Sequence, residues 1–224
     1  MFDSLIISNL PERHCAVLRK PSNTRPTLWV VEDHGARAVV KDYSRNRFLY
    51  RHTAGRFLVW REAKALRRLH GVRGVPALYN VLGGLALVME EIPGKNLEEI
   101  QGQGRLTKAF FDDMADLVDR VHRRGIAHCD LKRAPNTLLV GDGTPFIVDW
   151  GAAICKSEFP FFPLTRIYRR FLLDDSMAIV KLKLKYCAEA VSPAELARYR
   201  HRSRLETFIR QIRDRFRTWL QRLV

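Results

Sequence analysis

Three residues that could act together on a phosphate group lie in one loop, and a fourth follows shortly after it. The segment 128–136 reads HCDLKRAPN and contains Asp130, Lys132 and Asn136, and Asp149 comes next in an Asp-Trp-Gly turn. Phosphoryl transfer from a nucleoside triphosphate needs such side chains. A carboxylate orients the acceptor hydroxyl, a cation offsets charge on the moving group, and oxygen ligands hold Mg²⁺.

The residues between Asn136 and Asp149 predict a β-hairpin that brings these two side chains together. Two β-rich runs, 137–140 and 146–148, flank a Gly-Asp-Gly-Thr turn. An Asp-Gly pair between such runs is a strong hairpin signal. Because a hairpin returns the chain to its starting point, Asn136 and Asp149 could face one metal ion. The alternative is an ordinary hairpin with polar ends.

A cation and a carboxylate upstream are predicted to form an ion pair. Lys41 ends an apolar run in the second strand of a predicted hairpin over 28–43, and Glu62 lies in a predicted helix of about 55–70 that ends at Gly71. A lysine at a strand end is more often a surface residue, but its spacing from Glu62 favours the pair. Glu62 adjoins the predicted buried face of this helix, which consists of Val59, Ala63 and Leu66.

Together these residues resemble the signatures of the protein-kinase-like superfamily. Those signatures are V-A-I-K for the lysine strand, H-R-D-L-x-x-x-N for the catalytic loop and D-F-G for the metal-binding turn. The resemblance covers roughly residues 18–153. It implies an α+β fold with two lobes: a β-rich, nucleotide-binding small lobe at 1–91 and a reduced, mainly helical large lobe at 92–224. It also implies an ATP-dependent kinase that uses Mg²⁺.

The resemblance assigns a role to each matching residue. Asp130 would orient the attacking hydroxyl, and Lys132 would neutralise the γ-phosphate during transfer. Asn136 and Asp149 would ligate Mg²⁺ through oxygen. Lys41 would contact the α- and β-phosphates, held in place by its ion pair with Glu62.

The adenine and phosphate contacts are predicted by position alone. The strand over 84–94 is similar to the last strand of the small lobe, so Met89 would be the gatekeeper, and the backbone of Glu90 and Ile92 would bind adenine. A glycine-rich loop should precede Lys41, but residues 19–26 contain no glycine. The side chains of Ser22, Asn23 and Thr24, with charge from Lys20 or Arg25, could replace it.

Three departures narrow the resemblance. Five residues, rather than four, separate Asp130 from Asn136. Cys129 stands where an arginine usually pairs with a phosphorylated activation loop, which argues against that form of control. The chain after Gly151 is short and contains no A-P-E motif. The sequence therefore resembles the compact branches, which are the RIO-like kinases and the bacterial lipopolysaccharide core kinases that phosphorylate Kdo or heptose.

The charge of the chain predicts an anionic partner. The formal net charge is +15, and residues 164–224 contain 15 Lys and Arg against 6 Asp and Glu. Nucleic acid, phospholipid and phosphorylated glycolipid would all fit this charge, but the chain has no zinc-finger or RNA-binding motif to favour nucleic acid. We therefore expect a lipopolysaccharide core sugar as the acceptor. The alternatives are a RIO-like serine/threonine protein kinase and a pseudokinase that serves as a binding module.

The expected compartment is the cytoplasm, with possible peripheral contact at the inner face of the membrane. The four cysteines are scattered, and no apolar run is long enough to span a bilayer. A basic amphipathic helix beginning near Ser192 and reaching Val224 could cap the large lobe or bind lipid. The apolar loop 159–163 could likewise pack on the large lobe or touch membrane.

Two further predictions concern the large lobe. Thr107 is a plausible N-cap for a helix that Gly125 ends, and residues 166–186 form a second, basic helix from which Asp174 or Asp175 could bind the backbone of the catalytic loop. The core face of the first helix is predicted by its spacing to consist of Phe110, Met114, Leu117, Val118 and Val121.

Overall fold

The computed structural model describes residues 2, 4–103, 106–141 and 143–200. Its strands are β1 (His14–Arg19), β2 (Thr27–Asp33), β3 (Ala36–Asp42), β4 (Leu78–Leu82), β5 (Ala86–Glu90), β6 (Gly94–Asn96), β7 (Ile126–Ala127), β8 (Thr137–Val140), β9 (Pro145–Ile147) and β10 (Ile154–Cys155). Its α-helices are α1 (Leu10–Arg13), α2 (Phe48–Tyr50), α3 (Arg56–Arg68), α4 (Lys108–Arg123), α5 (Leu164–Tyr186) and α6 (Pro193–Arg200).

The first five strands form one antiparallel sheet in the order β1-β2-β3-β5-β4. The predicted hairpin over 28–43 is confirmed as β2 and β3, which pair along their whole length. Its turn contains His34 and Gly35, both with positive φ. Glycine adopts this conformation without steric cost.

Alternation along β3 decides which way Lys41 points. Successive side chains of a strand face opposite sides of the sheet. Ala38 and Val40 join the core cluster on one face, so Lys41 lies on the other face. Tyr43 follows there in the cluster that includes Val59 of α3. The lysine therefore points toward the helix that contains Glu62.

The helix α3 follows α2 without a break, because residues 51–55 form one π-helical turn between them. Its predicted buried face is confirmed, since Val59, Ala63 and Leu66 are all buried. The helix begins at Arg56, close to the predicted start, and ends at Arg68.

The larger core surrounds α4. The Thr107 hydroxyl accepts a hydrogen bond from the Phe110 amide at 3.3 Å, which confirms the predicted N-cap. The predicted helix 166–186 is confirmed as α5, and α6 begins after the predicted cap Ser192, whose hydroxyl accepts a hydrogen bond from the Glu195 amide at 3.2 Å. The predicted core face of α4 is buried at every position: Phe110, Met114, Leu117, Val118 and Val121.

Two small sheets frame the loops of interest. The predicted hairpin after Asn136 is confirmed as β8 and β9, and β6 extends it to a three-stranded sheet. β7, which precedes the loop 128–136, pairs with β10, which follows the turn at Asp149. The fold is thus mixed α+β, as predicted, and is compatible with two kinase-like lobes. The predicted turn residue Asp142 and most of the predicted C-terminal helix, from residue 201 onward, lie outside the described residues.

No helix within the described ranges combines the length and the apolar character that crossing a membrane requires. The loop 159–163 was predicted either to pack on the large lobe or to touch membrane, and its residues differ in this respect. Phe159 packs against Tyr168 and Phe171 of α5, whereas Phe161 and Phe162 are exposed.

Candidate active site

The ammonium group of Lys41 lies between two carboxylates. Its Nζ donates a hydrogen bond to Glu62 Oε2 at 2.7 Å and another to Asp149 Oδ1 at 2.7 Å. The Glu62 side chain is 0% exposed and that of Lys41 only 8%. The predicted pair of Lys41 and Glu62 is therefore present as a buried contact, and Asp149 joins it.

The pKa values of these three groups reflect burial and mutual attraction. Burial by itself lowers the pKa of Lys41, but the carboxylates of Asp149 and Glu62 outweigh it and hold that pKa well above the usual value. The positive charge of Lys41 lowers the pKa of Asp149. Burial raises the pKa of Glu62, against the opposing effect of Lys41. Glu62 is thus the carboxylate that depends most on its partner to stay charged.

The turn at Asp149 is also attached to α3. The Trp150 amide donates a hydrogen bond to Glu62 Oε1 at 3.2 Å, so the two oxygens of Glu62 bind the lysine and the turn. Asp149 itself adopts the left-handed conformation, with φ of 65°. Gly151, two positions later, has an ordinary φ. The tight conformation falls on Asp149, where the contact with Lys41 stabilises it.

The candidate residues of the loop 128–136 are connected by hydrogen bonds. Asn136 Nδ2 donates to the Asp130 carbonyl at 3.0 Å, and the Val148 amide donates to the Asn136 carbonyl at 2.9 Å. The second contact joins the two ends of the β8–β9 hairpin, next to Asp149. Arg133, which the sequence did not single out, lies 3.4 Å from Asp130 Oδ2. Lys132 is partly buried in the same loop.

His128 supports this loop rather than facing a ligand. The ring is buried, accepts a hydrogen bond at Nδ1 from the Asp130 amide at 3.3 Å and donates from Nε2 to the Val148 carbonyl at 3.1 Å. These contacts assign the neutral Nε2–H tautomer. The ring also packs edge-on against Trp150, with centroids 4.6 Å apart. These contacts give His128 a structural role in the loop.

A buried carboxylate of α5 holds the start of the loop. Asp175 accepts hydrogen bonds from the amides of His128 at 2.7 Å and Cys129 at 2.9 Å, and from His122 Nε2 at 3.2 Å. Cys129 has a positive φ of 67°, which non-glycine residues rarely adopt. The prediction that Asp174 or Asp175 binds this backbone is confirmed for Asp175, whereas Asp174 pairs with Arg170.

The segment in the place of a glycine-rich loop is fixed by two residues that sequence reasoning missed. The buried side chain of Asn46 donates from Nδ2 to the carbonyls of Ser22 at 2.7 Å and Arg25 at 3.1 Å. The Tyr50 hydroxyl donates to the Thr24 carbonyl at 2.9 Å. The Asn46 contacts hold the loop by its backbone, and the side chains of Ser22 and Asn23 remain exposed.

One of the backbone groups predicted to bind adenine already forms a hydrogen bond within the protein. Met89 is partly buried at the end of β5 and packs against both the α3 cluster and the larger core. The Glu90 amide donates to the Ala77 carbonyl at 2.8 Å, so this N–H cannot also bind a base. Adenine binding by the Glu90 carbonyl and the Ile92 amide stays a prediction.

The donor set fits Mg²⁺ bound together with a polyphosphate. The side chain of Asp149 is 44% exposed despite its contact with Lys41. Asn136 is buried, and because its Nδ2 binds the Asp130 carbonyl, Oδ1 is the atom that could ligate a metal. Within the described residues no group of three or more His, Cys, Asp or Glu could hold a metal alone. Mg²⁺ commonly takes one or two protein oxygens and completes its shell with water and substrate phosphates.

Comparison with known proteins supports a protein-kinase-like relationship. No protein-family model matches the chain. One similar curated protein, the serine/threonine-protein kinase PknD of Chlamydia muridarum (strain MoPn / Nigg), is 44% identical over 71 residues. The match spans 30% of this chain and 7% of that relative, so the chain covers only a small part of its length.

Proposed function

We propose that this protein is an ATP-dependent phosphotransferase with a hydroxyl acceptor. The observation that carries the proposal is the position of Lys41, 2.7 Å from Glu62 and 2.7 Å from Asp149. This contact joins β3, α3 and the turn after β9, which are far apart in the chain. A buried lysine between two carboxylates, with an exposed carboxylate edge beside it, is suited to a phosphate–metal complex.

The residues of the loop would act on the acceptor. Bound Mg·ATP would supply the γ-phosphoryl group, polarised by the metal. Asp130 would orient the acceptor hydroxyl and accept its proton, which typically contributes about 10²–10⁴-fold in rate. Lys132 would offset the charge that develops on the transferred group. Asn136 and Asp149 would hold Mg²⁺, while Lys41 would exchange part of its contact with Asp149 for phosphate oxygens.

Two acceptors remain as candidates, each with an observation in its favour. The similarity to a serine/threonine-protein kinase over 71 residues favours a protein hydroxyl. The basic charge, with +9 of the net +15 in residues 164–224, favours a sugar hydroxyl of lipopolysaccharide core, because that glycolipid is anionic. A pseudokinase that serves as a binding module is favoured by one observation, the absence of glycine from residues 19–26.

One experiment separates these functions. Purified protein is incubated with Mg²⁺ and γ-labelled ATP, and with either a protein extract or purified core glycolipid. We expect label in one acceptor, and its loss in Asp149→Ala but not in the matched control Asp174→Ala. Transfer to protein alone would exclude the glycolipid acceptor. A protein with neither transfer nor a thermal shift in Mg·ATP would contradict the phosphotransferase itself.

A further inference from the structure

The outer side of the helical segment 48–68 exposes large apolar side chains. Phe48 is 70% exposed, Leu49 66%, Phe57 51% and Trp60 52%. The segment is continuous from α2 through the π-helical turn to α3, so these residues follow one another along the same helix. Several exposed aromatic residues close together on one element indicate an interaction site.

The same segment is strongly basic. Between Arg45 and Arg68 the sequence contains eight Lys and Arg and one carboxylate, Glu62. Glu62 is buried against Lys41 on the inner side of the helix, so it does not offset the outer charge. Glu158 is the acidic side chain that reaches this side, at 2.7 Å from Lys64 and 3.8 Å from Arg61.

Cations and aromatic rings alternate closely along this surface. Lys64 Nζ lies 5.0 Å from the centre of the Trp60 ring, and the Arg61 guanidinium lies 5.5 Å from that of Phe57. The Phe57 and Trp60 rings are 5.9 Å apart. Nearer the start of the segment, the Arg51 guanidinium lies 5.3 Å from the centre of the Phe48 ring. We call the exposed side chains of Phe48, Leu49, Arg56, Phe57, Trp60, Arg67 and Arg68 the basic aromatic face.

We propose that the basic aromatic face binds an anionic phospholipid surface. Phenylalanine and leucine side chains can enter the boundary of the acyl chains, and tryptophan favours the headgroup level because its ring is apolar and its N–H is polar. The arginines beside them attract phosphate headgroups. Each basic residue close to the membrane surface adds to this attraction. A helix with one basic and apolar side and its other side packed on the protein can lie in the plane of the interface.

The shape of the surface favours a membrane over an acidic protein. A partner peptide is usually gripped in a groove that buries its side chains, whereas here the large side chains project from the outside of a helix. Insertion into lipid covers projecting side chains without a matching pocket. The basic aromatic face is also separate from the catalytic-loop candidates, so its role does not depend on the proposed phosphotransfer.

Vesicle sedimentation with the whole 224-residue chain tests the proposal. We expect binding to phosphatidylcholine vesicles that contain about 30% phosphatidylglycerol, and much weaker binding to phosphatidylcholine alone or in about 1 M salt. The double variant Phe57→Ser/Trp60→Ser should bind the anionic vesicles about tenfold more weakly. The matched control, Ile6→Ser/Leu173→Ser, removes two side chains of similar exposure elsewhere (57% and 53%) and should bind like the wild type.

Tryptophan quenching tells whether this surface inserts. Trp29 and Trp150 are buried, and Trp219 lies outside the described residues, so the variant Trp219→Phe leaves Trp60 as the exposed indole of the described part. Anionic vesicles with brominated acyl chains should quench its emission. Unchanged vesicle binding by Phe57→Ser/Trp60→Ser, or no quenching in Trp219→Phe, would overturn the proposal. So would binding to poly-glutamate without binding to vesicles, since that pattern indicates an acidic protein partner.

Discussion

Lys41 Nζ and Asp149 Oδ1 are 2.7 Å apart, although 108 positions separate the two residues in the chain. This contact joins the five-stranded sheet to the turn that follows β9. It also connects a buried lysine to the exposed carboxylate that we propose as a metal ligand. Because Glu62 holds the same ammonium from the other side, removing the lysine affects two carboxylates in different ways.

Replacing Lys41 should destabilise the protein in a pH-dependent manner. Lys41→Met leaves Glu62 buried without its cation, and breaking a buried ion pair in this way costs about 3–5 kcal/mol. Burial already raises the pKa of Glu62, and loss of Lys41 should raise it further. Because the folded form of the variant then retains a proton that the unfolded form releases, its stability falls as the pH rises.

Urea unfolding at about pH 5 and about pH 8 checks this prediction. The loss of stability relative to the wild type should be larger at the higher pH, where Glu62 must be charged. The double variant Lys41→Met/Glu62→Gln should recover part of the loss at the higher pH, because no charge is left buried. An equal loss at both pH values would contradict the prediction, because it would show that loss of Lys41 does not raise the pKa of Glu62 further.

Replacing Asn46 should loosen the glycine-free loop. Asn46→Ala removes the donor to the carbonyls of Ser22 and Arg25, and each unsatisfied buried group costs about 1–3 kcal/mol. We expect KM for ATP to rise about tenfold with a smaller change in kcat, since the loop would need to be ordered again on binding. Steady-state kinetics and a thermal shift with Mg·ATP measure both effects.

Two variants sharpen the interpretation of Asn46. Asn46→Asp keeps the shape but, when charged, has no donor for those carbonyls, so it should be at least as harmful as Asn46→Ala. Tyr50→Phe removes the hydrogen bond to the Thr24 carbonyl and should change KM in the same direction by less. An unchanged KM in all three would contradict a role for this contact in nucleotide binding.

Replacing Asp175 should disturb the loop 128–136, which we propose as the catalytic loop. Asp175→Asn keeps one oxygen but loses the second acceptor for the amides of His128 and Cys129. A small misplacement of a reacting group can reduce the rate about 10²-fold, so we expect a fall in kcat of that order with little change in KM for ATP. The neighbouring variant Asp174→Asn, which affects only the pair with Arg170, should retain activity.

Replacing Asp130 tests the chemistry directly. Asp130→Asn keeps the backbone contacts with His128 and Asn136 but removes the carboxylate that we propose as the proton acceptor. The rate should fall by about 10²–10⁴-fold, while the thermal shift produced by Mg·ATP should persist. A loss of nucleotide binding with the loss of rate would instead indicate that Asp130 organises the loop.

The sequence by itself predicted the parts of the site that follow from local pattern. The apolar spacing of α3 identified its buried face and placed Glu62 beside it, and the two β-rich runs around Gly-Asp-Gly-Thr located the hairpin between Asn136 and Asp149. Thr107 was recognisable as an N-cap because capping depends on residues three positions apart. These features depend on the periodicity of a helix or strand. Residues close together in the chain determine that periodicity.

Only the tertiary structure decided which distant residues meet. Asn46 has no motif around it, yet it holds a loop more than twenty positions earlier. Adjacent carboxylates, Asp174 and Asp175, could be distinguished only when α5 was packed, because its rotation buries one and leaves the other with Arg170. The left-handed conformation falls on Asp149 rather than on Gly151, at the residue whose carboxylate contacts the distant Lys41. Such contacts join elements whose separation along the chain has no fixed period, so packing alone specifies them.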